Sequence, residues 1–580
     1  NNLQQIMEKH TGTNTTLKEI TSAASDLQLE YRTRGFPTVS VTIPQQRITN
    51  GIVTLRVIEG KLTDIVVKGN HYFSSNNVMR SLPGLRTNEI LNGALFQAEL
   101  DRANASQDRQ IYPQIRPGPE PETSALTLDV KDRLPLHAKI EVNNQNSPGT
   151  PDLRLNSSMV YNNLWQLEHS IGIQYNFSPG RTKRDFNWNF YDVPLVANYS
   201  MFYRMPLGET PPIADLIAEQ PGSFGYDEAT RKFRLPPPSG LPELNFFASR
   251  STIDTGVNLS PLTDLTATAT NIPPNTATNT TNSVITLARQ NSQQDITITE
   301  DLGVRVSEPL GIFDAIRSTL SFGFDFKNYR LASYGTNTII VTQHFTNQNN
   351  GVPITQVFDV PSAVPPTRKT VQYVPLTLRW DGSRPDRLGR TDFSVGYTPN
   401  FSGAFLHNRR DFTNVATSVH SDGYYHILTA SLGREQNLYK EWKLSLRADG
   451  QWANQPLISN EQFGNGGVAG VRGYQEGEVF GDTGWRVIFE PKSPPLLFGL
   501  FDNGIPMVAR ASIFMDYGET YLLDPNGRQG HVALWGTGFG AAMTIGSAWE
   551  ARLQIAVPLS TTSTTPSGRV RFAFALSASF

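Results

Sequence analysis

The last ten residues, Arg571-Phe572-Ala573-Phe574-Ala575-Leu576-Ser577-Ala578-Ser579-Phe580, set Phe572, Phe574, Leu576, Ala578 and Phe580 opposite Arg571, Ala573, Ala575, Ser577 and Ser579. Side chains of an extended chain alternate with period two, so this is a strand with one apolar face and one small or polar face. The texture recurs upstream. Leu136, Ala138, Ile140 and Val142 oppose His137, Lys139, Glu141 and Asn143, and Leu320, Phe322, Phe324 and Phe326 oppose Ser321, Gly323, Asp325 and Lys327. Trp442, Leu444, Leu446 and Ala448 oppose Lys443, Ser445, Arg447 and Asp449. From Pro135 onward such segments succeed one another, separated by turn residues and with no helical pattern between them. A soluble sandwich seldom runs this long with so many charges on its second face. A transmembrane barrel, with lipid outside and an aqueous lumen inside, requires that pattern.

Composition is compatible with this reading. The mean hydropathy is −0.34, and no apolar run approaches the roughly 18 residues of a spanning helix. In a barrel, alternation keeps the average low while each strand carries a full apolar stripe. Fifty basic against 52 acidic residues give a net charge of −2, so no global basic field favours nucleic acid. The absence of cysteine excludes disulfides and thiolate metal sites and suits a chain that crosses an oxidising compartment. Nine histidines lie scattered without H-E-x-x-H spacing, and there is no Walker lysine or G-x-S-x-G elbow, so no metal, cofactor or catalytic residue is expected. Gly464 to Ala469 matches G-x-G-x-x-A but precedes no helix whose N-terminus could take a pyrophosphate.

Before Pro135 the pattern differs. Residues 1–34 read as helical, with Leu17, Ile20, Ala24, Leu27 and Tyr31 at helical spacing and Gly35 as a stop, followed by strands over Phe36–Ile43 and Gly51–Ile58. Lys61–Lys68 alternates as a strand, Ser74 caps a short helix through Leu82, and Leu95–Gln110 reads as a further helix before strands at Ile111–Ile115 and Leu126–Val130. The second copy is β-α-α-β-β; the first keeps α-α-β-β, its opening strand expected to be either missing from this chain or replaced. No secretory leader is present, although an outer-membrane protein needs one, so the chain is expected to begin after processing.

The segment Gly464-Asn465-Gly466-Gly467-Val468-Ala469-Gly470-Val471-Arg472-Gly473-Tyr474 embeds one permanently charged arginine in backbone almost bare of side chains. Such a loop can enter a confined space and hold a carboxylate there bidentately. Asp516 lies in the alternating run Phe514–Gly518, on the same face as Ser512 and Arg510. Val471-Arg472-Gly473-Tyr474, then Glu476-Gly477 and Gly481-Asp482-Thr483-Gly484-Trp485, resembles the inward-folded loop of the TpsB family, the outer-membrane pores of two-partner secretion. The stretches Tyr31–Pro37 and Val57–Gly60 are similar to that family's first POTRA (polypeptide-transport-associated) domain.

The resemblance implies α+β periplasmic POTRA domains at 1–60 and 61–134, then an all-β transmembrane barrel of sixteen antiparallel strands at 135–580, with the inward loop around 464–485. It implies that Arg472 pairs with Asp516 on the barrel wall. It further implies passage of an unfolded exported polypeptide to the cell surface without ATP. The partners would be a large secreted adhesin- or haemolysin-like protein, outer-membrane lipid and the barrel-assembly machinery. Val39, Val41 and Ile43 are the candidate cargo contacts, on a sheet edge that an extended segment could join. Phe572, Phe574, Leu576 and Phe580 resemble the C-terminal signal by which barrels are recognised for insertion. The stretches 206–244, 263–292 and 335–370, rich in Pro, Thr and Asn, are expected to be extracellular loops. A barrel-assembly insertase of the same superfamily and a passive porin are the rival readings.

Overall fold

The structure, a computed structural model, describes residues 6–12, 15–48, 51–104, 106–180, 193–207, 224–236, 241–270, 280–313, 315–347, 352–416, 418–501 and 504–580. The chain divides into two compact units. Residues 1–136 form the bulk of one, and 137–160, 171–207 and 215–580 form the other.

The first unit carries the helix Leu17–Thr33, with residues 6–8 also helical ahead of it. Thr16 fixes this start: its N–H donates to Glu19 at 2.6 Å while its hydroxyl caps the Glu19 N–H. The N–H bond from Thr16 holds the Glu19 carboxyl below its usual range. Ala24 and Leu27 pack on Val41, whereas Leu17 is exposed. Among the described residues Ser40–Thr42 pairs antiparallel with Arg56–Ile58 alone. The next layer is a three-stranded sheet, Lys61–Lys68, Thr123–Asp132 and Arg109–Pro117 in spatial order, covered by the helices Ser75–Arg80 and Gly93–Ala103. Alternation on the strands and i, i+4 spacing on the longer helix put Leu62, Val78, Leu82, Phe96, Leu100, Ile111, Leu126 and Leu128 into one core.

The second unit is a closed antiparallel ring. Three staves are interrupted. Glu243–Asp254, Asn258–Leu259 and Thr263–Thr270 succeed one another along Thr280–Phe313, Pro353–Tyr373 and Leu376–Asp386 along Ile316–Asn347, and Thr483–Lys492 and Leu496–Phe501 along Ile505–Tyr521. Joined so, the described wall has sixteen strands. Arg571–Ser579 closes it against Leu136–Asn143. Outward stripes such as Leu320, Phe322, Phe324 and Phe326 are exposed, while Ser321, Asp325 and Lys327 on the opposite face are buried in the lumen. No described helix is long and apolar enough to cross a membrane; this barrel crosses with strands.

Two of the three expected loops are not loops. Most of 263–292 and 335–370 lies in the strands Thr263–Thr270, Thr280–Phe313, Ile316–Asn347 and Pro353–Tyr373. Thr336, Thr338, Ile339, Ile340, Val341 and Thr342 are β-branched and favour extended backbone even without an apolar face to bury. Within 206–244, residues 208–223 and 237–240 lie outside the described residues; 225–227 and 232–234 form a hairpin. Its side is also corrected. Strands alternate in direction from Leu136–Asn143, so the connection after Val196–Pro206, the fourth strand, returns to the end at which the chain enters the barrel. That end is periplasmic, not extracellular. Residues 271–279 and 348–351, at the tips of the two long hairpins, lie outside the described residues.

Candidate functional site: the inward loop

Residues 454–482 connect Lys443–Ala453 to Thr483–Lys492 and fold into the lumen. Asp482 ties the base of the loop, accepting from the Leu457 N–H at 2.8 Å, Gln462 Nε2 at 3.0 Å and the Leu523 N–H at 2.8 Å. Phe463–Asn465 pairs with Val479–Gly481, so the intervening arc leaves and returns at one place. Val471 and Tyr474 pack with Leu534 of the wall, and the Tyr474 hydroxyl lies 3.0 Å from the Trp535 carbonyl and 2.9 Å from that of Ser560.

Arg472 is the centre of this contact. Its Nε and Nη2 donate to the two oxygens of Asp516, each at 2.7 Å, and its backbone N–H donates to Oδ2 at 3.0 Å. Nη1 lies 3.4 Å from Glu490, and the guanidinium sits 3.6 Å from the centre of the Phe514 ring. Asp516 is fully buried. An ion pair so desolvated gains from its two parallel bonds and from the ring face, and loss of either member leaves a buried charge uncompensated. Neither Glu490 nor Phe514 was among the contact residues expected from the sequence, although Phe514 begins the run that holds Asp516. Phe514 precedes Asp516 by two residues and so had to share its face, which was the available signal.

The loop can lie this close because the wall gives way at Gly536, directly across the ladder from Asp516. A Cβ on Gly536 would stand 1.9 Å from the Arg472 carbonyl oxygen. Gly473, at φ +100°, adopts backbone that side chains strain, and a Cβ there would meet Pro558 N at 2.9 Å. Gly536→Val should therefore lift the loop. In this cysteine-free chain a Val471→Cys reporter, now fully buried, should react with a hydrophilic maleimide on the order of tenfold faster or more once Gly536 is changed, since about 1.4 kcal/mol already gives a factor of ten. Unchanged labelling would mean that the wall adjusts around the new side chain.

The other candidates fall elsewhere. Phe572, Phe574, Leu576 and Phe580 line the outer face of the closing strand or its end, exposed. Val39 and Val41 are buried, their side chains taken up by the core, and Ile43 is exposed just beyond the strand Ser40–Thr42. A segment joining this edge would meet backbone and Ile43, not the two valine side chains.

Known proteins sort the two units. Residues 1–60 match the POTRA domain, ShlB-type, and residues 393–543, which contain Arg472, Glu490, Phe514, Asp516 and Gly536, match the family described as haemolysin secretion/activation protein ShlB/FhaC/HecB. The outer membrane transporter CdiB of Dickeya dadantii (strain 3937) is 25% identical over 187 residues, 32% of each chain, so the match spans about a third of that relative's length. Among solved structures, CdiB from Escherichia coli aligns with all of this chain and 87% of its own, with a TM-score of 0.53 at 14% identity. BamA from Haemophilus ducreyi lacking POTRA domains 1–3 aligns with all of this chain and 97% of its own, with a TM-score of 0.51 at 10% identity. These two likenesses concern the fold. A ShlB-type POTRA domain stands ahead of a sixteen-strand outer-membrane barrel that carries the ShlB/FhaC/HecB segment, the architecture of the TpsB-type outer-membrane transporters.

Proposed function

We propose that this barrel is the translocation pore of a two-partner secretion pair, carrying an unfolded exported polypeptide to the cell surface without ATP. The observation that carries the reading is the buried Arg472–Asp516 contact, which holds a long loop inside a closed lumen in a chain that begins with a ShlB-type POTRA domain. We assign residues 1–60 and 61–134 to two POTRA domains and 135–580 to the barrel. The POTRA domains take the cargo in the periplasm. The outer edge of Ser40–Thr42 has no strand beside it among the described residues, so an extended segment can add there through backbone hydrogen bonds. The partner is a large secreted protein of the adhesin or haemolysin kind, and the barrel-assembly machinery inserts the barrel, with the C-terminal stripe as its signal. The chain acts as a conduit, not an enzyme.

The test is secretion of a candidate cargo in cells with and without this chain, with surface and periplasmic fractions compared. Cargo should reach the surface only when the chain is present. Unchanged cargo together with falling levels of other outer-membrane barrels on depletion would replace this reading with the insertase. A solute-selective conductance without effect on cargo would replace it with the porin.

A further inference from the structure

Gly225–Asp227 and Lys232–Arg234 form a hairpin within the connection between the fourth and fifth strands, Val196–Pro206 and Glu243–Asp254. That connection leaves the wall at the periplasmic end, yet the turn of the hairpin meets residues of the other end. Glu228 accepts from Arg154 Nε at 2.9 Å, Arg154 Nη2 at 3.1 Å and Asn198 Nδ2 at 3.2 Å. Arg154 and Asn198 stand at the outer ends of Arg154–Leu164 and Val196–Pro206. The hairpin therefore stands inside the lumen with its turn toward the outer end.

Its contacts are those of a folded occupant. Phe224 packs edge-on against Phe202 with ring centres 4.8 Å apart, and Phe233 stacks on Phe247 at 5.0 Å. Phe202 and Phe247 point inward, since their neighbours Met201 and Phe246 face out. On a stretch of inner wall that otherwise presents Asn198, Ser200, Asn245 and Ser249, these two rings form an apolar spot that would meet water if left uncovered. The hairpin also reaches the inward loop. Arg231 lies 3.8 Å over the Phe480 ring, and Lys232 Nζ is 3.9 Å from Glu461, whose carboxylate also binds Lys327 of the wall at 2.8 Å.

We propose that the inner wall around Phe202, Phe247, Arg154 and Asn198 is a binding track for an extended polypeptide segment, and that residues 224–236 are its built-in occupant, displaced by the exported chain. The identity of the displacing chain rests on the transport reading above. The ligand class follows from what the hairpin presents: two aromatic side chains at alternate positions of its first arm, Phe224 and Tyr226, and an acidic one, Glu228, where the turn begins. Aromatic pairing supplies adhesion that tolerates varied sequence, and the Arg154 fork selects a carboxylate.

In planar bilayers, the full chain lacking residues 224–236 should conduct several-fold more than the parent. The synthetic peptide 224–236 should close it again, and the same peptide with Phe224→Ala, Tyr226→Ala, Glu228→Gln and Phe233→Ala should not. Should the deletion variant fail to assemble, Glu228→Ala with Phe233→Ala in the full chain should raise conductance in the same direction. Unchanged conductance in both, or blockade indifferent to the four peptide changes, would overturn the site. In cells, cysteines at Ser147 and Glu228, whose side chains now stand 3.4 Å apart, can be bridged by a reducible bifunctional thiol reagent. Bridging should stop cargo release, and reduction should restore it; undiminished release from bridged barrels would overturn displacement. If the parent itself releases no cargo, the transport reading fails, while the bilayer results still decide the track.

Discussion

Arg472→Ala is expected to leave the barrel inserted at normal abundance and to lower cargo release by at least about tenfold, the factor set by 1.4 kcal/mol. The arginine supplies three donors to one buried carboxylate and covers the face of Phe514. Alanine keeps the backbone bond but leaves Asp516 without a cation, with Glu490 close to the vacated place. Breaking one side of such a pair costs about 3–5 kcal/mol, against the few tenths that a solvated surface charge would cost. The wall hydrogen bonds of Ile505–Tyr521 do not pass through Arg472, so the loss falls on the loop. Lysine cannot make two parallel bonds or lie flat on the ring, so Arg472→Lys should recover release only in part. Arg472→Ala combined with Asp516→Ala should be less damaging than the sum of the single changes, because the second removes the stranded charge. Surface and periplasmic cargo, measured beside barrel abundance, decide the matter. Normal release from Arg472→Ala would take the pair out of the mechanism.

Deleting residues 1–134 should reduce release to background and strand cargo in the periplasm, with the barrel still assembled. The removed part has its own core around Leu62, Leu82, Phe96 and Leu126, and the ring closes through Lys139–Asn143 with Ala575–Ser579, all of which remain. The deletion therefore takes away recognition and leaves the conduit. Secretion that persists would transfer recognition to the barrel itself.

The barrel wall was legible because each strand separates lipid from water, which forces Leu320 to Lys327 into strict alternation. Above the membrane both faces of Thr280–Phe313 and Ile316–Asn347 meet water, the alternation loses its cause, and Thr- and Asn-rich strand resembles loop. The Arg472–Asp516 contact was visible only through a family motif, since a separation of 44 residues is closed by barrel register and not by local pattern. Gly536 shows why. Nothing near it in sequence announces that it faces Asp516 across the ladder and must stay bare for another loop's backbone. Val41 shows the converse: alternation identified the strand but not which face its helix would cover.

The strands that outrun the membrane have a mechanical consequence. Thr280–Phe313 is 34 residues long, which at about 3.3 Å each is on the order of 110 Å of ladder, against roughly 30 Å of hydrocarbon. Ile316–Asn347 accompanies it throughout with continuous register across most of that length. The outer sheet and the pore wall are thus one stiff piece, a crowbar with its short arm in the lipid. Anything that grips the long arm, whether an antibody, a phage tail fibre or a neighbouring cell, applies torque to the pore through the backbone itself.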